Sequence, residues 1–296
     1  MTRVLHAECA LCSANGLGEV PAWCPDTRTL WWTDVKVPAM ASFDPATGAW
    51  KTYRVPGRTI GSWAFMQQPG ALMLAQQDGL YRFVPDTGEH ALLKAVEADL
   101  PLHRLNDGRC DRRGRFWVGS MHETFRDTPR GNFYRIDPDY KLAQVFANFT
   151  VPNSVAFSPD DRRMYFADTS ARKIYVFDFD IDAGVLGNQR LFRDCAGDTG
   201  TPDGSTVDVD GCLWNAEYKG GRVVRYTPAG EIDTVIELPV SQPTACAFGG
   251  VGMDVLFITT GAQNLDPAAL SEQPLAGGVF ATRPGTQGLV EPRFGA

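Results

Sequence analysis

An internal repeat constrains this chain more than any other feature of its sequence. "WCPDTRTLWWTD" (23–34) and "FSPDDRRMYFAD" (157–168) align without a gap: a Pro-Asp turn, an Arg, then a strand ending in Asp. "DRRGRFWVGS" (111–120) and "DVDGCLWNAE" (208–217) are shorter versions, with an Asp-x-x-Gly turn before an aromatic strand. "QQPGALMLAQ" (67–76) and "GGVGMDVLFITT" (249–260) are weaker copies, which makes six units. Each is followed by a short strand ending in turn residues, such as "GLYRFVPDTG" (79–88) or "GRVVRYTPAG" (221–230), with period-2 alternation. Most are followed by a further strand candidate, such as "WKTYRVP" or "IDTVIELP". Six units of about 45 residues, with about four short antiparallel strands each, predict an all-β, six-bladed β-propeller.

The repeat occupies the whole of residues 1–296, so a single propeller domain is expected. The N-terminal segment is expected to supply an outer strand to the last blade and so close the ring. A β-sandwich is the alternative architecture, but it gives no reason for a sixfold period. No amphipathic helix of convincing length is visible. Thirty Gly and 20 Pro fit a protein built of short strands and many turns.

The formal net charge is −7 and there is no basic run, which argues against a nucleic-acid partner. No apolar run reaches the roughly 18 residues of a membrane span. The short apolar stretch at the N-terminus is interrupted by His6 and Glu8 and follows no cationic region. Seven scattered cysteines fit buried thiols in a reducing compartment, and a cytoplasmic location is expected. Cys9-x-x-Cys12 lacks a βαβ context and reads as chance. The expected assembly is a monomer or weak homo-oligomer.

The units also share a polar phase. Asp203 lies 11 residues before Trp214, and Asn106 lies 11 before Trp117. Asn153 precedes Tyr165 by 12, Glu19 precedes Trp31 by 12, Ser62 precedes Met73 by 11 and Thr244 precedes Leu256 by 12. In a propeller, one repeat phase maps to one ring of positions around the axis. If this phase starts each innermost strand, six oxygen-bearing side chains converge on one mouth of the central channel. Two carboxylates and two carboxamides there suit a hard cation such as Ca²⁺, Mg²⁺ or Mn²⁺. A second reading stays open: Asn106-Asp107-Gly108 and Pro202-Asp203-Gly204 are also good turn sequences in their own right.

At these residues the chain resembles the regucalcin/gluconolactonase family. The similarity runs through "LGEVPAWCPDTRTLWWTD", "RLNDGRCDRRGRFWVGSM", "VPNSVAFSPDDRRMYFADT", "PDGSTVDVDGCLWNA" and "PLAGGVFA". The resemblance implies a six-bladed propeller with one divalent metal at the channel mouth, and an activity in carbohydrate metabolism as a sugar-lactone hydrolase. It implies that Glu19, Asn153 and Asp203 ligate the metal, with Ca²⁺ first and Zn²⁺, Mg²⁺, Mn²⁺ or Fe²⁺ as alternatives. It further implies that Arg104 and Asn106 contact the substrate and that Asp203 is the general base. A substrate-binding Glu of some members falls by count on Thr124, with Glu123 one residue earlier; His122 resembles a histidine of bacterial sugar lactonases. Two other functions remain open: a propeller hydrolase of phosphotriester type, and a non-catalytic calcium-binding or interaction propeller. No Gly-x-Ser-x-Gly or His-Glu-x-x-His motif is present. "DFDIDAG" (178–184) places its Gly one residue late for a calcium loop and reads as a strand and hairpin.

Overall fold

The computed structural model describes residues 2–295 and is a six-bladed β-propeller. Blades 1 to 6 begin with the inner strands Gly18–Cys24, Ile60–Phe65, His103–Cys110, Pro152–Phe157, Thr201–Val207 and Pro243–Gly249. Each blade is an antiparallel meander running outward from that strand. The hairpin after each inner strand turns through a residue with positive φ: Arg28, Gly70, Gly114, Asp161 and Gly211 in blades 1 to 5, and both Gly250 and Met253 in blade 6. That shared turn is the physical content of the repeat. "DFDIDAG" is a strand end and hairpin turn, with Asp180 accepting from the amides of Asp182 and Ala183.

The hydrophobic core is not central. It is divided into six clusters, one in each interface between neighbouring blades. Between blades 3 and 4, Trp117 and Phe133 pack against Phe157, Phe166 and Phe179. Between blades 5 and 6, Trp214 and Ile236 pack against Cys246 and Phe248. A blade therefore buries both of its faces. Inner strands such as Ile60–Phe65 and Pro152–Phe157 are buried along their whole length, where a one-faced sheet would alternate.

Ring closure uses the N-terminus, as expected. Glu8–Leu11 pairs antiparallel with Val279–Thr282 and becomes the outermost strand of blade 6. The sequence did not foreshadow the preceding strand, Arg3–His6, which pairs parallel with Ile232–Glu237 on the edge of blade 5. One segment thus clasps two blades and covers two sheet edges. A short helix, Pro267–Glu272, sits in the excursion between the last two strands of blade 6 and buries none of its residues.

A buried carboxylate locks two of the six units. Asp208 accepts from the Trp214 indole N–H at 2.9 Å, the Arg225 Nε at 2.8 Å and the Cys212 amide at 3.0 Å. Asp111 does the same for Trp117 and Arg115, at 2.8 and 2.6 Å. Both aspartates are fully buried. This explains the Asp-x-x-Gly-x-x-Trp spacing: the turn brings the indole back onto the carboxylate that opened it. We expect Asp208→Ala to destabilise the protein by about 2–3 kcal/mol, because it leaves the Trp214 indole N–H and the Cys212 amide without their acceptor, while Arg225 keeps Asp210 and Asp233. Urea denaturation followed by tryptophan fluorescence checks this; a loss below about 1 kcal/mol contradicts the lock.

Candidate active site

Each inner strand is interrupted near one mouth of the channel by a bulge of one extra residue. In blade 1, Glu19 pairs with Thr33 and Ala22 with Trp31, so Val20 and Pro21 together oppose Trp32. Blades 3, 4 and 5 bulge in the same way, after Leu105, Asn153 and Pro202. In blades 2 and 6 the extra residue follows Ile60 and Pro243 directly. Bulges re-aim side chains. Glu19, Asn106, Asn153 and Asp203 lie at or beside the bulges of blades 1, 3, 4 and 5. Val20 and Ser154, just after Glu19 and Asn153, take φ values of 49° and 59°. For a β-branched valine that is a strained conformation, kept by the packing around it.

The six-oxygen ring is corrected to four. Ser62 and Thr244 share the phase but are wholly buried. Thr244 donates to the Gly18 carbonyl and shares a hydrogen bond with Thr259, so it ties blade 6 to blade 1. In blade 2 the bulged residue is Gly61, where a Cβ would meet the Leu105 carbonyl at 2.1 Å. The turn reading is also corrected. Asn106-Asp107-Gly108 and Pro202-Asp203-Gly204 lie inside strands. Their glycines serve close approach: a Cβ on Gly204 would meet Ala245 at 2.4 Å, and one on Gly108 the Trp117 carbonyl at 2.6 Å.

The lumen is chemically one-sided. Asn153 Nδ2 donates to Thr169 Oγ1 at 2.7 Å, and Thr169 gives its own proton to the Pro202 carbonyl at 2.8 Å. The threonine oxygen can then only accept, which fixes the carboxamide orientation and turns Asn153 Oδ1 inward. Asn106 Nδ2 donates to that Oδ1 at 3.2 Å and to the Pro152 carbonyl at 2.7 Å. Arg104, buried, donates to Asn106 Oδ1 at 2.6 Å. Ser154 Oγ holds the Asp203 carbonyl at 2.6 Å, and Asn215 Nδ2 holds it at 3.0 Å.

A third carboxylate, Asp107, joins Glu19 and Asp203; reading it as a turn residue hides it in the sequence. Its Oδ2 accepts from the Val155 amide at 2.9 Å. Burial raises the pKa of all three. Glu19 is pushed up to about 8 by burial and then by Asp107. Asp203 lies well above the usual carboxylate range through burial, Glu19 and Asp107. Arg104 is drawn down to about 10, chiefly by burial. Glu19 is partly exposed. No side-chain donor serves the carboxylate of Glu19 or Asp203 among the described residues.

Two carboxylates short of donors and an inward carboxamide oxygen form an all-oxygen donor set that fits a hard dication. Among the described residues no three His, Cys, Asp or Glu side chains gather into an ion site.

The mouth is framed on the blade 3 side by His122 and Glu123. His122 is buried, and its Nδ1 accepts from the amides of Thr124 and Phe125, both at 3.1 Å. An imidazole nitrogen that accepts twice carries no proton, so His122 is neutral with its proton on Nε2. Burial, with His103 and Arg130 beyond it, lowers its pKa in the same sense. Glu123 pairs with Arg58 and stands 4.0 Å from Arg104 Nε. Thr124 lines a surface cavity with Phe125, Arg126, Thr150 and Asp168. Glu123 is therefore the residue that faces Arg104. The opposite mouth is crossed by the C-terminal segment, which bridges Asp208 through Gly288 and Met66 through Phe294, and pairs Glu291 with Arg109 at 3.4 Å.

Residues 17–262 match the SMP-30/gluconolactonase/LRE-like region. The chain belongs to that family. A 6-deoxy-6-sulfogluconolactonase from Pseudomonas putida is 35% identical over 292 residues, spanning 97% of this chain and 98% of that protein. An L-arabinolactonase from Azospirillum brasilense is 36% identical over 283 residues, 95% of this chain and 92% of that one. The solved structure of regucalcin from Agrobacterium tumefaciens, a calcium-binding protein, superposes with a TM-score of 0.93 at 30% identity, covering 99% of both chains. Family members named lactonases thus match nearly the full length of this chain.

Two outcomes follow from the carboxylate cluster and the histidine. In chelator-stripped protein, folded Glu19 holds its proton more tightly than the unfolded chain does. Folding takes up protons between the ordinary carboxyl range and about 8, so stability falls as pH rises through that window. Asp203 acts in the same direction. Melting temperature against pH should show this decline, flattened in Glu19→Gln; a profile unchanged by the substitution contradicts it. Nitrogen-15 NMR at neutral pH should find Nδ1 of His122 unprotonated, and a protonated Nδ1 would refute the tautomer.

Proposed function

We propose that this protein is a metal-dependent lactonase that opens a sugar lactone to the aldonic acid. The observation that carries the reading is the set of Glu19, Asn153 and Asp203, placed beside bulges at one channel mouth and short of donors, in a member of a family that includes sugar lactonases. Those three residues hold the cation in this reading. The cation supplies Lewis acidity toward the lactone carbonyl and the positive charge that lets Glu19 and Asp203 ionise together.

The chain's own residues do the rest. Asp203 accepts a proton from the water that attacks the lactone carbonyl carbon, and returns it to the ring oxygen as the carbon–oxygen ring bond breaks. Ser154 and Asn215 hold the Asp203 backbone and so fix where its carboxylate lies. Arg104, with Asn106 locked to it, offers a cationic donor to the carbonyl oxygen or a ring hydroxyl. The Nε2–H of His122 supplies a neutral donor at the rim, and Glu123 orients Arg104. Seven free thiols support a reducing, cytoplasmic location.

The test is lactone opening followed by a pH indicator, on chelator-stripped protein with metals returned singly. Activity should reappear with a divalent ion. Asp203→Ala should lower it by about 10²–10⁴-fold or more. Glu19→Ala combined with Asp203→Ala should abolish metal binding by calorimetry. Full turnover in that double variant would sink the reading.

A further inference from the structure

Above the carboxylates the rim is cationic, in a chain whose net charge is −7. Lys36 comes from the loop after the second strand of blade 1, Arg58 from the connection to blade 2, and Arg104 and Arg126 from blade 3. Three of them meet at Glu123. Arg58 pairs with its carboxylate, Arg104 stands 4.0 Å from it, and Arg126 Nε donates to its backbone carbonyl at 3.3 Å. Glu123 balances only one of them, and Arg104 is shared with the buried carboxylates below.

The carboxylates Glu123 and Asp34 act on Lys36 through space but form no ion pair with it. Asp34 accepts from four backbone amides, those of Gly16, Leu17, Lys36 and Val37. Asp127 accepts from Thr128 at 3.3 Å. Neither Lys36 nor Arg126 has an ion-pair partner among the described residues. The base of the Lys36 side chain packs on Gly16, where a Cβ would meet its Cβ at 2.9 Å. Burial, Arg126 and Arg104 together hold the Lys36 ammonium below its ordinary pKa. The like charges gathered at this opening are offset in part by Glu123, Asp34 and Glu19, and a ligand that brings negative charge relieves the remainder.

We propose that the mouth selects sugar-derived ligands carrying a terminal oxyanion, received by Lys36 and Arg126 while the ring lies over Glu19, Asn153 and Asp203. This rests on the lactonase reading for which end of the ligand reaches the carboxylates. Carboxylate, sulfonate and phosphate share the required chemistry, being acceptor oxygens with negative charge.

The test is calorimetric binding, so it reports whether or not the protein turns the ligand over. The probes are a neutral anhydrosugar that cannot be hydrolysed, and the same ring bearing a carboxylate, a sulfonate or a phosphate on its terminal carbon. At low ionic strength at least one charged ring should bind about tenfold more tightly than the neutral one, and the advantage should shrink with added salt. Lys36→Met and Arg126→Gln, each verified as folded by its melting curve, should each reduce that advantage severalfold. The preferred probe among the three identifies the anion. Equal binding of neutral and charged rings, an advantage untouched in both variants, or no binding by any ring would overturn the proposal. Those results leave the metal-restored lactone assay intact, so the two readings fail separately.

Discussion

Every feature of this molecule depends on blades that bury both faces against their neighbours. A four-stranded meander with two apolar faces is not stable alone, and a row of such meanders leaves one face bare at each end. Closing the ring removes both bare faces at once. The N-terminal segment secures that closure by adding Glu8–Leu11 to blade 6 while Arg3–His6 grips blade 5. Because the core lies between blades, the axis is left to residues chosen for something other than packing.

That freedom is used unevenly. In four blades a carboxylate or carboxamide stands at or beside the bulge; in the other two the residue at that phase is a fully buried hydroxyl. The resulting concentration of Glu19, Asp107 and Asp203 opposes folding, since burial and mutual repulsion disfavour their charged forms. Arg104 relieves part of it. The interfaces between blades, filled with Trp, Phe and Ile, hold the cluster together. A site of this kind needs a rigid frame that does not relax when its charges repel.

The fold was readable because its signal is repeated. Pro-Asp and Asp-x-x-Gly turns, each placed just before an aromatic strand, recur with the same offset, and each is a local device enforced by φ preferences and a strand-forming run. The phase of Glu19, Asn106, Asn153 and Asp203 was readable for the same reason. Asp107 was not, because an Asp before Gly looks like a turn, and only the pairing of Leu105 with Ser120 and of Gly108 with Val118 shows a bulge. Nor was the burial of Ser62 and Thr244, since it depends on how closely the neighbouring blade approaches, as Leu105 does at Gly61.

The sequence by itself determined the architecture, the number of blades and the residue types that line one mouth, since periodicity and turn chemistry are local properties copied six times. Only the tertiary structure decided which oxygens face the lumen, that Asn153 presents its carbonyl, that His122 keeps its proton on Nε2, and that Lys36, Arg58, Arg104 and Arg126 surround one opening. Those residues lie on separate loops and strands and meet only when the ring closes. Their charges act through space, over distances that no spacing along the chain encodes.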